Sequence, residues 1–447
     1  MARPSRFMKN HPLALALCCA VTLGSAIPAE SAENTAPRGF TALFNGTDLS
    51  GWWGAGTEDP RKYLALPADG FKAKRDASLA DIQQHWRVEK GELVNDGKGL
   101  FLTTDQSFGD FELLVDYKTV ALADSGIYLR GCPQVQIWDS TETTKFNLGA
   151  DKGSGGLWNN SAGTPGKDPL VKADKPFGEW NQLRVVMVGS RVWIWLNGRQ
   201  TVNAAVMENH YDRKQPVPPR GPIQLQTHGG AISWRNVFIR QIGSDEANKQ
   251  LRAVDPEGFK PVFNGKDLSG WAGPLDCVRV ADSAIEWLPG KGGTIYTRDQ
   301  FADFIVRLEF KLPPGGNNGL AIRYPGSGNP AYEAMSECQV LDDRYEQATG
   351  NKIDPRQAHG SAYGMAAALR GYQHPAGEWN YQEVTVKGTT IQVELNGTRI
   401  LDADLSKVTE FMANTPHPGK ARKSGHFGFA GHGDPVMFRN LSIKPLH

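Results

Sequence analysis

The segment VVMVGSRVWIWLNG (residues 185–198) decides the fold. Its apolar residues alternate at the period of a β-strand, Gly189-Ser190 supplies a two-residue turn, and Asn197-Gly198 opens the next one. The stretch VTVKGTTIQVELNG (residues 384–397) repeats the pattern, with Gly388-Thr389 and Asn396-Gly397 at the turns. FELLVDYK (111–118) and FIVRLEFK (304–311) are further strands of the same kind.

These pairs belong to a duplication. FTALFNGTDLSGWWG (40–54) lies over FKPVFNGKDLSGWAG (259–273) with 10 of 15 positions identical. DSGIYLR (124–130) then matches NNGLAIR (317–323), QVQIWD (134–139) matches ECQVLD (337–342), and GEWN recurs at 178–181 and 377–380. THGGAISWRN (227–236) and GHGDPVMFRN (431–440) close the series. Each copy is long enough to bury its own core. The reading is all-β: two tandem jelly-roll β-sandwich domains at 38–243 and 258–447, joined by a linker at 244–257 that is a short helix or extended. Helices are otherwise expected only at 78–85 and 404–412.

Composition agrees. Fifty Gly and 28 Pro make 78 of 447 residues, about 17% against roughly 12% in average usage, which excludes helical bundles and coiled coils. Forty-nine Lys+Arg balance 48 Asp+Glu, so no field for a polyanion exists and nucleic acid is excluded as a partner. Arg3, Arg6 and Lys9 precede an apolar stretch at 13–27 and the small residues Gly24, Ser25, Ala26 and Ala29. Residues 1–29 read as a signal peptide whose apolar stretch is too short to span a bilayer, and the protein as secreted, periplasmic or extracellular, with no membrane span. Beyond it stand Cys132, Cys277 and Cys338, either as a Cys277–Cys338 bridge with one thiol or as three thiols. No spacing suits a structural zinc ion.

Polar residues on strand faces point to a ligand. Alternation puts Tyr128 with Arg130, Gln134 with Gln136 and Trp138, and Gln224 with Gln226 and His228. Amides, a guanidinium, an imidazole and aromatic rings suit the hydroxyls and apolar ring face of a sugar better than they suit a solvated surface. Arg323, then Glu337 and Gln339, then His432 follow in the second copy, where an acid replaces Gln134. Trp158 and Tyr363 add aromatic surface. The arginines equally suit cross-strand ion pairs, and the histidines structural roles.

Taken together, F-N-G-x-D-L-S-G-W, S/N-G-x-x-x-R, Q-x-x-D, G-E-W-N, L-N-G and the late H-G…R-N resemble the 3-keto-disaccharide hydrolase family, also described as 3-keto-glucoside 1,2-lyase/3-keto-2-hydroxyglucal hydratase domains. The resemblance implies a concanavalin A-like, glucanase-like jelly roll acting on glycosides oxidised at carbon 3, with a small 3-keto oligosaccharide or glycoside as partner. A ketone at carbon 3 acidifies the proton at carbon 2, so a base can remove it and expel the carbon 1 substituent; hydration of the enone completes net hydrolysis. His228 and His432 are expected as base or acid, Asp139, Glu337 and Asp342 as further acid/base candidates, and Arg130 and Arg323 as enolate stabilisers. Gln134, Gln136, Trp138, Tyr128, Gln226, Gln339, Tyr363 and Trp158 are expected to bind substrate. No cofactor is expected; a divalent cation could replace the arginine as electrophile, though no motif requires one. A conventional glycosidase and a non-catalytic tandem sugar-binding protein are the competing readings.

Overall fold

The computed structural model describes Met1 and residues 34–446; the expected signal peptide at 1–29 lies outside the described residues, apart from Met1. The two hairpin series form as read. Asn181–Val188, Arg191–Leu196 and Arg199–Val206 follow one another, as do Trp379–Lys387, Thr390–Leu395 and Thr398–Asp404. Gly189 and Gly388 have φ of 55° and 57°, and both turn asparagines are left-handed, Asn197 at 51° and Asn396 at 49°, which a twisted two-residue hairpin demands. Each asparagine also ties the hairpin to the strand before it: Asn197 Nδ2 donates to Asn181 Oδ1 and Asn396 Nδ2 to Asn380 Oδ1, both at 2.8 Å.

Two sandwiches result, and the protein is nearly all β. In the first, an eight-stranded antiparallel sheet contains Phe111–Thr119 between Asn181–Val188 and Ile232–Gln241. It packs on a five-stranded sheet ordered Trp52–Ala55, Phe101–Thr104, Gln224–Leu225, Asp124–Leu129, Cys132–Trp138. The second sandwich repeats both layers, with its five-stranded sheet ordered Trp271–Ala272, Gly292–Phe301, Gly425–His432, Asn317–Tyr324, Ser336–Leu341. Alternate residues of facing sheets fill the cores: Leu113, Val115 and Trp234 meet Ile127, Val135 and Leu225 in one, and Val306, Phe310 and Phe438 meet Leu320, Val340 and Phe429 in the other. Full burial of each such side chain contributes roughly 1.5–3 kcal/mol.

The linker is helical over Ser244–Arg252, with acidic residues in its first turn and Lys249 and Arg252 in its last, as the helix dipole favours. Ala247 and Leu251, one turn apart, pack with Val186, Val188 and Trp193 of the first sandwich and Tyr381 of the second. Arg191 clamps Glu394 across the same junction through Nε at 3.0 Å and Nη2 at 2.8 Å. Among the described residues, no helix is long and apolar enough to cross a membrane.

Two expectations need correction. The helix expected at 78–85 spans Ala68–His85, preceded by Pro60–Leu64, because only Ser78 and Ile82 of the longer helix are buried and its first half carries no apolar stripe. Residues 404–412 form a short 3₁₀ turn, Leu405–Lys407, and Ala413 beyond it has φ of 51°. Of the two cysteine arrangements the sequence allows, the structure has three thiols: Cys132, Cys277 and Cys338 are free and buried.

Candidate active site

The site of the second sandwich is built on three adjacent strands of its five-stranded sheet. Asn317–Tyr324 pairs with Ser336–Leu341 in a register that sets Gly319 opposite Gln339 and Ala321 opposite Glu337. Glu337 and Gln339, two residues apart, therefore share a face, and both are buried. They line a cavity of about 140 Å³ together with Asn317, Tyr332, Tyr363 and His432. Gln339 Nε2 donates to Asn317 Oδ1 at 2.7 Å, and Gln357 Nε2 donates to the Tyr363 hydroxyl at 3.1 Å. His432, at the end of Gly425–His432, sets Nε2 3.8 Å from Glu337 Oε1. Glu337's side chain is 4% exposed and His432's 48%, so the carboxylate forms the floor and the imidazole the rim. The carboxylate raises the imidazole pKa above its ordinary value against the opposing effect of burial.

Gly319 makes room for this carboxylate. A Cβ there would lie 2.1 Å from Glu337 Oε1.

In the first sandwich the corresponding strands, Asp124–Leu129 and Cys132–Trp138, set Gly126 opposite Gln136. Gln134 Nε2 donates to Gln136 Oε1, Gln136 Nε2 donates to Asp124 Oδ1 at 2.9 Å, and Lys145 Nζ meets Asp124 Oδ2 at 3.1 Å. Acid and amide have exchanged strands: Asp124 and Gln134 here stand where Asn317 and Glu337 stand in the second sandwich. His228 is exposed and has no ion pair among the described residues, unlike His432. Trp158 holds the position of Tyr363, since Leu157 bridges Val135 as Ala362 bridges Cys338. Its ring meets that of Trp138 edge-on at 6.4 Å.

Tyr128 packs its ring on Phe101 at 5.2 Å, and Trp53, Tyr63 and Phe71 cluster on the same sheet. Gln226 is buried, with Oε1 unpartnered.

Four expected catalytic residues are placed elsewhere. Pairing shifts between Ile127 and Leu129, and between Ala321 and Tyr324, and Arg130 and Arg323 follow with φ of 53° and 51°. Neither guanidinium continues the face of its strand. Arg130 donates to the Gly109 and Pro218 carbonyls and to Asp110, and Arg323 to the Ala302, Gly388 and Arg422 carbonyls and to Asp303. They are corner braces, not enolate stabilisers. Asp139 accepts from the backbone of Leu122 and Thr141, and Asp342 from that of Gly315 and Arg344, so both carboxylates close turns. Trp138 commits its Nε1 to the Gly153 carbonyl at 2.9 Å. No three His, Cys, Asp or Glu side chains gather to hold a metal ion among the described residues.

Both sandwiches match one family model, the 3-keto-alpha-glucoside-1,2-lyase-like domain, over residues 39–240 and 258–444. The chain belongs to that family. A 3-keto-disaccharide hydrolase of Bacteroides thetaiotaomicron is 29% identical over 250 residues, covering 47% of this chain and 86% of that protein. Two solved structures of candidate glycosyl hydrolases from Parabacteroides distasonis are 27% and 24% identical, each with a TM-score of 0.38; they cover 42% and 43% of this chain and 99% and 95% of theirs. The protein is thus a carbohydrate-active member of the 3-keto-alpha-glucoside-1,2-lyase-like family, a hydrolase at family level.

In the two lyase-like domains Asp124 and Asn317, the hydrogen-bond partners of Gln136 and Gln339, are not among the residues that strand alternation singles out. The signal was present in the aligned strings DSG and NNG, but only the cross-strand register joins those residues to Gln136 and Gln339. Lys145, Tyr332 and Gln357 come from connecting segments, where periodicity carries no information.

Proposed function

We propose that the second sandwich cleaves glycosides oxidised at carbon 3, by elimination across carbons 1 and 2 followed by hydration. The observation that carries this reading is the Glu337–His432 pair over a cavity lined by Asn317, Gln339, Tyr332 and Tyr363. Glu337 takes the carbon 2 proton, leaving an enolate. The enolate reforms the ketone as the carbon 1–oxygen bond breaks, and protonated His432 gives its proton to the departing glycosidic oxygen. Water then adds at carbon 1, losing a proton to the now neutral His432, while Glu337, its acid proton exchanged with solvent, protonates carbon 2. Atoms and charge balance to a net hydrolysis. The amides of Asn317 and Gln339 hold hydroxyls, and the tyrosine rings face the sugar ring.

A conventional glycosidase requires two carboxylates flanking the bond. Asp342, the second acid expected in this domain, accepts backbone N–H groups with both oxygens, which leaves Glu337 as the carboxylate of the cavity.

Incubation in deuterated water with a glucoside and its 3-keto derivative tests the reading. The keto compound is expected to be consumed alone, with deuterium at carbon 2 of the product. Consumption of the parent glucoside, or a product without that label, would sink it. Secretion belongs to the same proposal, on the leader-like pattern of residues 1–29. Mass spectrometry of the mature N-terminus checks it; an N-terminus still carrying Arg3 would contradict it.

A further inference from the structure

We propose that the first sandwich carries a separate site that binds a hexopyranoside ring without cleaving it. The proposal rests on the reading of the second sandwich as the catalytic one. Its basis is the exchange of acid and amide between the two sheets.

The first sandwich has no free base at the position of Glu337. Gln134 stands there, and an amide takes no proton at working pH. The acid of this patch, Asp124, is on the neighbouring strand with both oxygens engaged: Oδ1 accepts from Gln136 at 2.9 Å, and Oδ2 pairs with Lys145 at 3.1 Å. Glu142, itself 3.0 Å from Lys145, strengthens the cation's hold on that corner. The remaining titratable group, His228, is exposed and lacks the carboxylate that His432 has. Asp139 is consumed by its turn.

What the patch retains is suited to hydroxyl groups. Gln134 and Gln226 are each 5% exposed and flank the Cβ-less side of Gly126: a Cβ there would lie 3.0 Å from Gln226 Oε1 and 3.1 Å from Gln134 Cδ. Gln226 Oε1 has no hydrogen-bond partner among the described residues. A buried acceptor left unsatisfied is destabilising, and a sugar hydroxyl is the donor that would satisfy it. Trp158, half-buried in the place of Tyr363 and one residue from the Leu157–Val135 bridge, carries Lys167 Nζ over its ring at 5.0 Å and keeps its other face for the apolar side of a sugar. The set is therefore one that orients a neutral polyol and has no group to remove its proton. The occupant is a hexopyranoside, oxidised or not, because nothing here requires the ketone.

Calorimetric titration of full-length Glu337→Gln with methyl 3-keto-glucoside, whose turnover that variant is expected to slow enough for binding to be read, counts the sites. Two equivalents are expected to bind, falling to one when Trp158→Ala or Gln134→Ala is added, and methyl glucoside is expected to occupy the first site as well. Two variants are named because the buried one affects packing. In activity, Glu337→Gln is expected to lose at least about 100-fold of turnover, since the first sandwich supplies none. Retention of more than a tenth of wild-type turnover would overturn the proposal, as would a single binding event indifferent to Trp158 and Gln134. A wild type that cleaves no keto-glycoside at all would overturn the catalytic reading of the second sandwich instead, and the titration would still decide the first.

Discussion

His374 of the second sandwich reaches Asp110 of the first, Nε2 to Oδ2 at 3.7 Å. Asp110 also accepts from Arg130 at 2.9 Å and from the Gly189 backbone at 2.9 Å, so one carboxylate joins a corner brace, a hairpin turn and the neighbouring sandwich.

This pair makes the junction sensitive to pH. Burial alone would lower the His374 pKa, but Asp110 and the Trp379 carbonyl raise it; Asp110 lies below its usual value because His374, Arg130 and Gly189 outweigh its burial. A raised histidine contributes stability that is full below its unfolded pKa, near 6.5, and is lost as pH climbs through the folded value. The lowered carboxylate contributes above its unfolded pKa and loses that contribution as pH falls through the folded value. His374→Ala is expected to cost about 1–3 kcal/mol near pH 6 and less at pH 9. Urea unfolding of both proteins at the two pH values checks this; an equal loss at both would contradict it.

Arg191 and Glu394 hold the junction differently. Glu394's side chain is 7% exposed and accepts from Nε and Nη2 of the guanidinium, so Arg191→Ala strands a buried charge at a cost of about 3–5 kcal/mol. The double variant Arg191→Met/Glu394→Met is expected to recover most of that. A double-mutant cycle by denaturant unfolding reads the coupling.

Glycine at 319 is demanded by the site more than by the fold. The Cβ of Gly319→Ala would meet Glu337 Oε1 at 2.1 Å, and the carboxylate can swing where backbone cannot. Turnover is expected to fall by about 100-fold, the scale of a lost general base, while the melting temperature changes by a few degrees. A variant with unaltered turnover would show that Glu337 acts from another position.

The rate should fall at alkaline pH as His432 loses its proton, and Glu337 moves that limb upward by raising the imidazole pKa. In Glu337→Gln, NMR titration of His432 is expected to give a lower pKa than in wild type. His432→Gln should flatten the alkaline limb while cutting turnover by about 10²–10⁴-fold.

Much of the fold was legible because strand and turn chemistry are local. Gly189, Asn197, Gly388 and Asn396 mark conformations that few other residues adopt, and alternation put Glu337 and Gln339 on one face. Arg130 and Arg323 were misplaced because a pairing irregularity in each strand breaks the alternation that sequence reading assumes. Asp139 and Asp342 look like acids free to react until their backbone donors are known. Tyr63 and Phe71 reach Trp53 from helices that exist only in the first copy, where alignment to the second gives no guide.

The three cysteines bear on how the molecule is made. Cys132 and Cys338 are driven to pKa values of about 12 by burial, so at neutral pH neither offers a thiolate to oxidants or to other thiols. With Cys132, Cys277 and Cys338 free, what holds each sandwich together is its packing and hydrogen bonding and not a covalent cross-link among these thiols.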